Sequence, residues 1–179
     1  MKRTSTAGRV RQALREATMI NHQRVDDLFS HFSLESPAEY GAFLRAHARA
    51  LAPLEQLARP DAPRLPRLME DLAALGEVLP EPLAVERRGG EAFRWGALYA
   101  LEGSRLGGAM LERRVPPDLP RAYLSSVHGK GGWIAFQEAL DEAADGEGDD
   151  WIDGAIKGAE AAFALFAAGA AAEQVSMHG

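Results

Sequence analysis

Cysteine is absent from this 179-residue chain. Its absence excludes disulfides, cysteine nucleophiles and thiolate ligation of any metal, and it removes the nucleophile that thiaminase-like helical enzymes need. Long apolar runs are also missing. No stretch of about 18 apolar residues occurs, so no membrane-spanning helix is expected. The basic start, Met1 to Arg15, has no apolar core of signal-peptide length, which makes the cytoplasm the expected location. Positive charge is in deficit: the net charge of −6 disfavours a general nucleic-acid binder. No alternating strand pattern, repeat or linker breaks the chain, and the Glu-x-x-His pair of di-iron bundles is missing. Gly129-Lys130-Gly131-Gly132 is too short for a phosphate-binding loop and follows no strand.

The residues that are present read as helices. Hydrophobic residues make up 46% of the chain and charged ones 26%, enough for a core and against disorder. Val10, Leu14, Ala17, Asn21, Val25 and Leu28 recur at helical spacing, predicting a first helix from Ser5 or Thr6 to about Phe29, with Gly8 in its first turn. Ser36-Pro37-Ala38-Glu39 is a start signal: a cap, a proline at the first position and a capping-box glutamate. Tyr40, Phe43, Leu44, His47, Leu51 and Leu54 form the core stripe of this second helix, which should stop before Pro60. Leu65, Leu68, Met69, Leu72 and Leu75 mark a short third helix, and Glu91 to Arg114 a fourth. Two more follow, from about Trp133 to Ala144 and from about Trp151 to Gln174. The expectation is one all-α domain spanning residues 1–179.

The fourth helix contains an anomaly. Gly103, Gly107 and Gly108 lie near its middle, where each glycine costs roughly 1 kcal/mol against alanine. Gly96, Ala100, Gly103 and Gly107 share one face. A face without side chains admits either a flat ligand or a closely packed second helix. In the first helix, His22 offers an imidazole, a common ligand of heme iron, although a lone helical histidine is more often a core or surface residue. Arg15 precedes it by two turns, within about 20° of the same face and roughly 10 Å along the axis. That separation suits one side chain holding iron and the other holding a heme propionate by two-pronged hydrogen bonding. A solvated surface charge is the plainer reading of Arg15.

Leu14-Arg15-Glu16-Ala17-Thr18 followed by His22 resembles the proximal-helix motif of the heme oxygenase family. Leu98-Tyr99-Ala100-Leu101-Glu102-Gly103-Ser104-Arg105-Leu106-Gly107-Gly108 resembles the distal-helix motif of its short bacterial members, often paired with phytochrome photoreceptors. Trp133, Phe136 and Ala161-Ala162-Phe163 fit later parts of the family pattern. The resemblance implies an all-helical bundle that holds heme between the first and fourth helices. It implies that His22 ligates the iron and Arg15 contacts a propionate. Tyr99, Gly103, Gly107, Gly108 and Phe163 are implied to line the heme, with Gly103, Ser104 and Gly107 on the side where oxygen reacts. The implied reaction converts heme to biliverdin, carbon monoxide and iron, using oxygen and electrons from a ferredoxin, flavodoxin or reductase. No nucleic-acid or membrane partner is implied.

Departures from the family pattern are local. Ser104 stands where mammalian and pathogen members carry an aspartate, and the phytochrome-linked members share the serine-type motif. Positions that often supply basic propionate contacts are Gln137 and Asp141 here, so the heme is expected to be less tightly tethered or rotated, leaving the biliverdin isomer open. A heme carrier or sensor without efficient turnover, and a cofactor-free interaction module, remain as alternatives. His47 is expected in the core and His128 in a surface loop. Arg11, Arg15, Arg105, Arg113 and Arg114 form a candidate basic patch for an acidic ferredoxin, with scattered surface charge as the plainer reading.

Overall fold

Six helices follow one another in the computed structural model, which describes residues 8–86 and 89–178: α1 (Arg9–Phe29), α2 (Pro37–Ala58), α3 (Leu65–Ala74), α4 (Glu91–Glu112), α5 (Gly132–Ala144) and α6 (Asp149–His178). No strand occurs among the described residues. Ser5 and Thr6, the expected start of the first helix, lie outside the described residues. Gly8 is not first-turn material but the residue before the helix, in the left-handed region at φ 87°, where glycine has no Cβ penalty. Ser36 caps α2 as expected by accepting from the Glu39 amide. The Glu39 carboxylate, however, accepts from the Ser33 amide at 3.4 Å instead of closing a capping box on Ser36.

Pro53 lies inside α2 without ending it. Proline has no N–H to give the carbonyl one turn back, so the Arg49 carbonyl is left over. It accepts from Leu83 N at 2.9 Å, which stitches the segment after α3 to the helix.

α6 packs against α1, α2 and α4. Its alanines and glycines make this possible. A Cβ on Gly158 would overlap the Phe93 carbonyl of α4, and one on Gly169 would overlap the Ala46 carbonyl of α2. α6 is also long and apolar enough to cross a membrane by length and composition, which a search for uninterrupted apolar runs does not register. Burial against three helices accounts for part of that character: Ala155, Ala159, Ala162 and Ala170 have no exposed surface. Glu173 near its end is 1% exposed and accepts from Arg45 Nε at 3.1 Å and Arg49 Nε at 2.8 Å, joining α6 to α2. This arrangement leaves one side of α4 uncovered by α6 and turned towards α1.

Candidate active site

A cavity of about 420 Å³ lies between α1 and α4, within the range of about 300–1,000 Å³ usual for cofactor-sized sites. Thr18, His22 and Val25 line it from α1; Tyr99, Gly103, Ser104, Gly107 and Gly108 from α4; Trp133 from α5; and Phe163 from α6. Seven of the eight residues singled out in the sequence therefore meet in one space. The exception is Arg15. It lines an adjoining pocket of about 330 Å³ with Gly8, Arg11, Gln12, Gln137 and Tyr99, and Tyr99 is common to both spaces. Burial pushes the Tyr99 phenol up, opposed by the positive charge of Arg15 nearby.

The His22 ring stands at the mouth of the cavity, its side chain 64% exposed, with its centroid 5.7 Å from that of Phe163. Its Nε2 lies 3.4 Å from Asp26 Oδ2, one turn along the helix. An exposed pair of this kind is held weakly, so the imidazole is free to exchange the carboxylate for another partner.

The glycine face divides into two functions. A Cβ on Gly96 would overlap the Ala155 carbonyl, so this glycine serves helix packing against α6. Gly107 has nothing within 4 Å of its Cβ position, and Gly103 meets only Trp133 Cη2 at 3.7 Å. These two glycines open onto the cavity. Gly108 lines it by backbone, while its Cβ position lies 3.1 Å from the Leu124 carbonyl. Neither of the two sequence-level explanations, flat ligand or helix packing, therefore covers the whole stripe.

Ser104 is held firmly. Its hydroxyl donates to the Leu101 carbonyl at 2.6 Å and accepts from Arg64. Arg64 is 3% exposed, lines the cavity and lies over the Tyr123 ring with its guanidinium carbon 5.1 Å from the centroid. Sequence reasoning missed this arginine. It sits in the connector of Pro60, Pro63 and Pro66, where no periodicity assigns a side to any residue.

His47 belongs to the core stripe of α2 as expected, yet it also lines the cavity. The rings of Phe29 and Phe43 lie 4.3 Å from its own, those of Tyr123 and Phe166 at 5.4 and 5.6 Å, and Nδ1 donates to the Phe43 carbonyl at 2.9 Å. Burial pushes its pKa down from 6.5 to about 4, partly opposed by that hydrogen bond. The folded-state value is lower than the unfolded one, so the unfolded chain takes up the proton first. Stability is full above about pH 6.5 and falls as the pH drops towards 4, by up to ~3 kcal/mol. Acid titration of the chain followed by circular dichroism should show this decline, and His47→Gln should flatten it. Equal declines in both proteins would remove the assignment.

Three expectations need correction. His128 is not a surface-loop residue: its side chain is 14% exposed, and its Nε2 lies 2.7 Å from Glu102 Oε2. The basic patch does not form. Arg105 is 6% exposed and paired with Glu102, Arg11 is paired with Asp141 at 2.7 Å, and Arg113 and Arg114 are exposed beyond the end of α4. Asp141 does not face the cavity as a propionate neighbour; it ties α5 to α1 through Arg11 and the Gly8 amide, while Gln137 shares the Arg15 pocket.

In an alignment 123 positions long that covers 62% of this chain and 68% of the relative, the chain is 37% identical to a heme oxygenase of Xanthomonas campestris pv. campestris (strain 8004). This chain belongs to the heme oxygenase family. The fold agrees: the crystal structure of Neisseria meningitidis heme oxygenase in its NO- and CO-bound forms superposes with a TM-score of 0.75, over 95% of this chain and 92% of that one, at 24% identity. No protein-family model matches the chain. Heme, the substrate named for this family, suits the residues of this heme oxygenase. Two imidazoles line the cavity, His22 and His47; the His47 ring is enclosed by Phe29 and Phe43, which leaves His22 as the one free to serve as an axial ligand, and no cluster of three or more His, Asp or Glu that could hold a bare ion occurs among the described residues. The Cβ-free stretch at Gly103 and Gly107 gives a flat body access to the α4 backbone. Arg15 supplies a cation beyond one edge.

Proposed function

We propose that this heme oxygenase takes heme as substrate in the cavity between α1 and α4 and cleaves it to biliverdin, carbon monoxide and iron, the reaction general to the family. One observation carries the reading: the imidazole of His22 and the open backbone at Gly103 and Gly107 line the same cavity from different helices.

Bound heme supplies the iron at which oxygen reacts and the macrocycle that is opened, which leaves positioning and exclusion to the protein. His22 is the iron ligand in this reading. An imidazole avoids the strong electron donation by which thiolate favours O–O cleavage. Arg15 grips a propionate by paired hydrogen bonds beside Tyr99, and Gln137 is a neutral neighbour where a second cation is common. Phe163 and the Gly108 backbone bound the macrocycle. Gly107 leaves room for oxygen and ordered water. The Ser104 proton is committed to the Leu101 carbonyl, so Ser104 serves that water as an acceptor, fixed in place by Arg64.

Electrons come from a ferredoxin, flavodoxin or reductase, consistent with a cytoplasmic enzyme. The serine-type motif at Gly103-Ser104 supports assignment to the phytochrome-linked branch, whose biliverdin serves as chromophore. The test is a hemin titration followed by turnover. The purified chain should give a sharp Soret band at one equivalent of hemin, and then biliverdin once ferredoxin and its reductase are added. Heme binding without verdoheme or biliverdin bands would leave a carrier in place of an enzyme, and no heme-dependent spectrum would reject the reading entirely.

A further inference from the structure

Glu102 is the residue of α4 immediately before Gly103, and it is nearly buried. Its Oε2 lies 2.9 Å from Arg105 Nε and 2.7 Å from His128 Nε2. Arg105 continues the network by donating to the Ser126 carbonyl at 3.1 Å and to the Ala62 carbonyl. The segment before α5 is thus pinned to α4 beside the glycine gap. Nδ1 of His128 is buried without a partner among the described residues, which assigns the ring proton to Nε2, where it is donated to Glu102. None of these groups has a part in the mechanism above.

The imidazole reaches the cavity through Trp133. The His128 and Trp133 rings lie 6.0 Å apart, and Trp133 is further fixed by Phe136 at 5.5 Å and Tyr99 at 6.0 Å. The turn between them is tight: the His128 Cβ lies 2.8 Å from where a Cβ of Gly132 would be, so residue 132 must remain small while His128 is held in place. Trp133 Cη2 covers Gly103, whereas nothing covers Gly107. The free space along α4 is therefore one-sided.

We propose that His128 is a positioning residue for heme cleavage: anchored on Glu102, it holds the Trp133 indole over Gly103, confines the distal space to the Gly107 end, and so selects the meso edge that is oxidised. The proposal rests on the heme-cleavage reading for the consequence it names, while the His128–Trp133 coupling itself is measurable without heme. Loss of one hydrogen bond to a charged group shifts relative barriers enough to change product ratios severalfold.

The experiment uses the full chain with His128→Ala, His128→Gln and Trp133→Phe. Near-ultraviolet circular dichroism of the heme-free proteins identifies the Trp133 band as the signal lost in Trp133→Phe. That band should also be lost in His128→Ala and retained in His128→Gln, whose amide can still donate to Glu102. With hemin and reductant, His128→Ala and Trp133→Phe should both change the biliverdin isomer ratio by about threefold or more, and His128→Gln should keep the wild-type ratio. Retention of both the band and the ratio in His128→Ala overturns the proposal, as does a glutamine variant that behaves like alanine. If His128→Ala does not fold, His128→Leu takes its place: it refills the volume but has no donor for Glu102, so the same losses are expected. Absence of biliverdin from the wild-type chain would instead count against the function, leaving the heme-free measurement to decide the coupling.

Discussion

Replacing His22 by alanine is expected to lower biliverdin formation by more than about 100-fold while leaving the fold intact, because even outer-shell partners of metal ligands cost 10- to 100-fold. The two halves of this expectation have different origins. His22 is largely exposed and makes one weak pair with Asp26, so its removal is a surface substitution and should change stability by no more than about 0.5 kcal/mol. Its ring is the imidazole of α1 that lines the cavity, at a position where Thr18 is buried behind it and Phe163 lies alongside. The hemin complex of His22→Ala should lose the spectrum of an imidazole-ligated heme. Added free imidazole should restore the spectrum in part, since the truncated side chain leaves room at an already open mouth. An unchanged Soret band and unchanged turnover in the variant would assign the iron to another residue.

Alanine at two glycines of the same helix should act with opposite signs. At Gly96 the new methyl meets the Ala155 carbonyl, backbone against backbone, and no side chain can move aside. α4 and α6 must separate, at a cost above about 3 kcal/mol, which corresponds to a drop on the order of 10 °C in Tm for a chain of this size. At Gly107 the methyl enters open space. There the helix gains roughly 1 kcal/mol of propensity, and the heme-free protein should melt a few degrees higher. Turnover should fall by roughly 10- to 100-fold, because in the proposed reading the methyl would occupy the space for oxygen and displace the macrocycle. Thermal melts and single-turnover kinetics on the two variants check both signs. A Gly107→Ala protein that is less stable, or that turns over normally, would separate this glycine from function.

These contrasts show what a one-dimensional reading captures. Periodicity and end signals located all six helices within a few residues because those signals are local: Ser36 and Pro37 open α2, and Gly90 precedes α4. The residues that α1 and α4 bring to the cavity, His22 and the glycine face, were legible as well, since both are patterns within a single helix. What failed depended on partners distant in the chain. Gly96 and Gly107 look alike until Ala155 is placed next to one of them. His128 sits among Gly129, Lys130 and Gly131, which read as solvent-exposed, and only Glu102, 26 positions away, draws it inward. Arg105 looks like a surface cation on α4, but its carboxylate and carbonyl partners bury it. Pro53 leaves its own helix unbroken, and its consequence appears only at Leu83, 30 positions on.

The interlocked glycines of α4 and α6 also decide which parts of the molecule can yield. Gly96, Gly154 and Gly158 bring the two backbones so close that neither helix can slide or tilt without collision. α1 buries only Val10, Leu14, Thr18 and Phe29 along its length, and α5 only Leu140 and Ala144. Local opening favours segments with few buried side chains. Admission of a large planar guest and exit of its linear product therefore fall to the outer walls, with the α4–α6 pair as a stationary frame. In the proposed reading, in which His22 would hold the iron, the wall that carries the ligand is also the wall that must yield for entry and release.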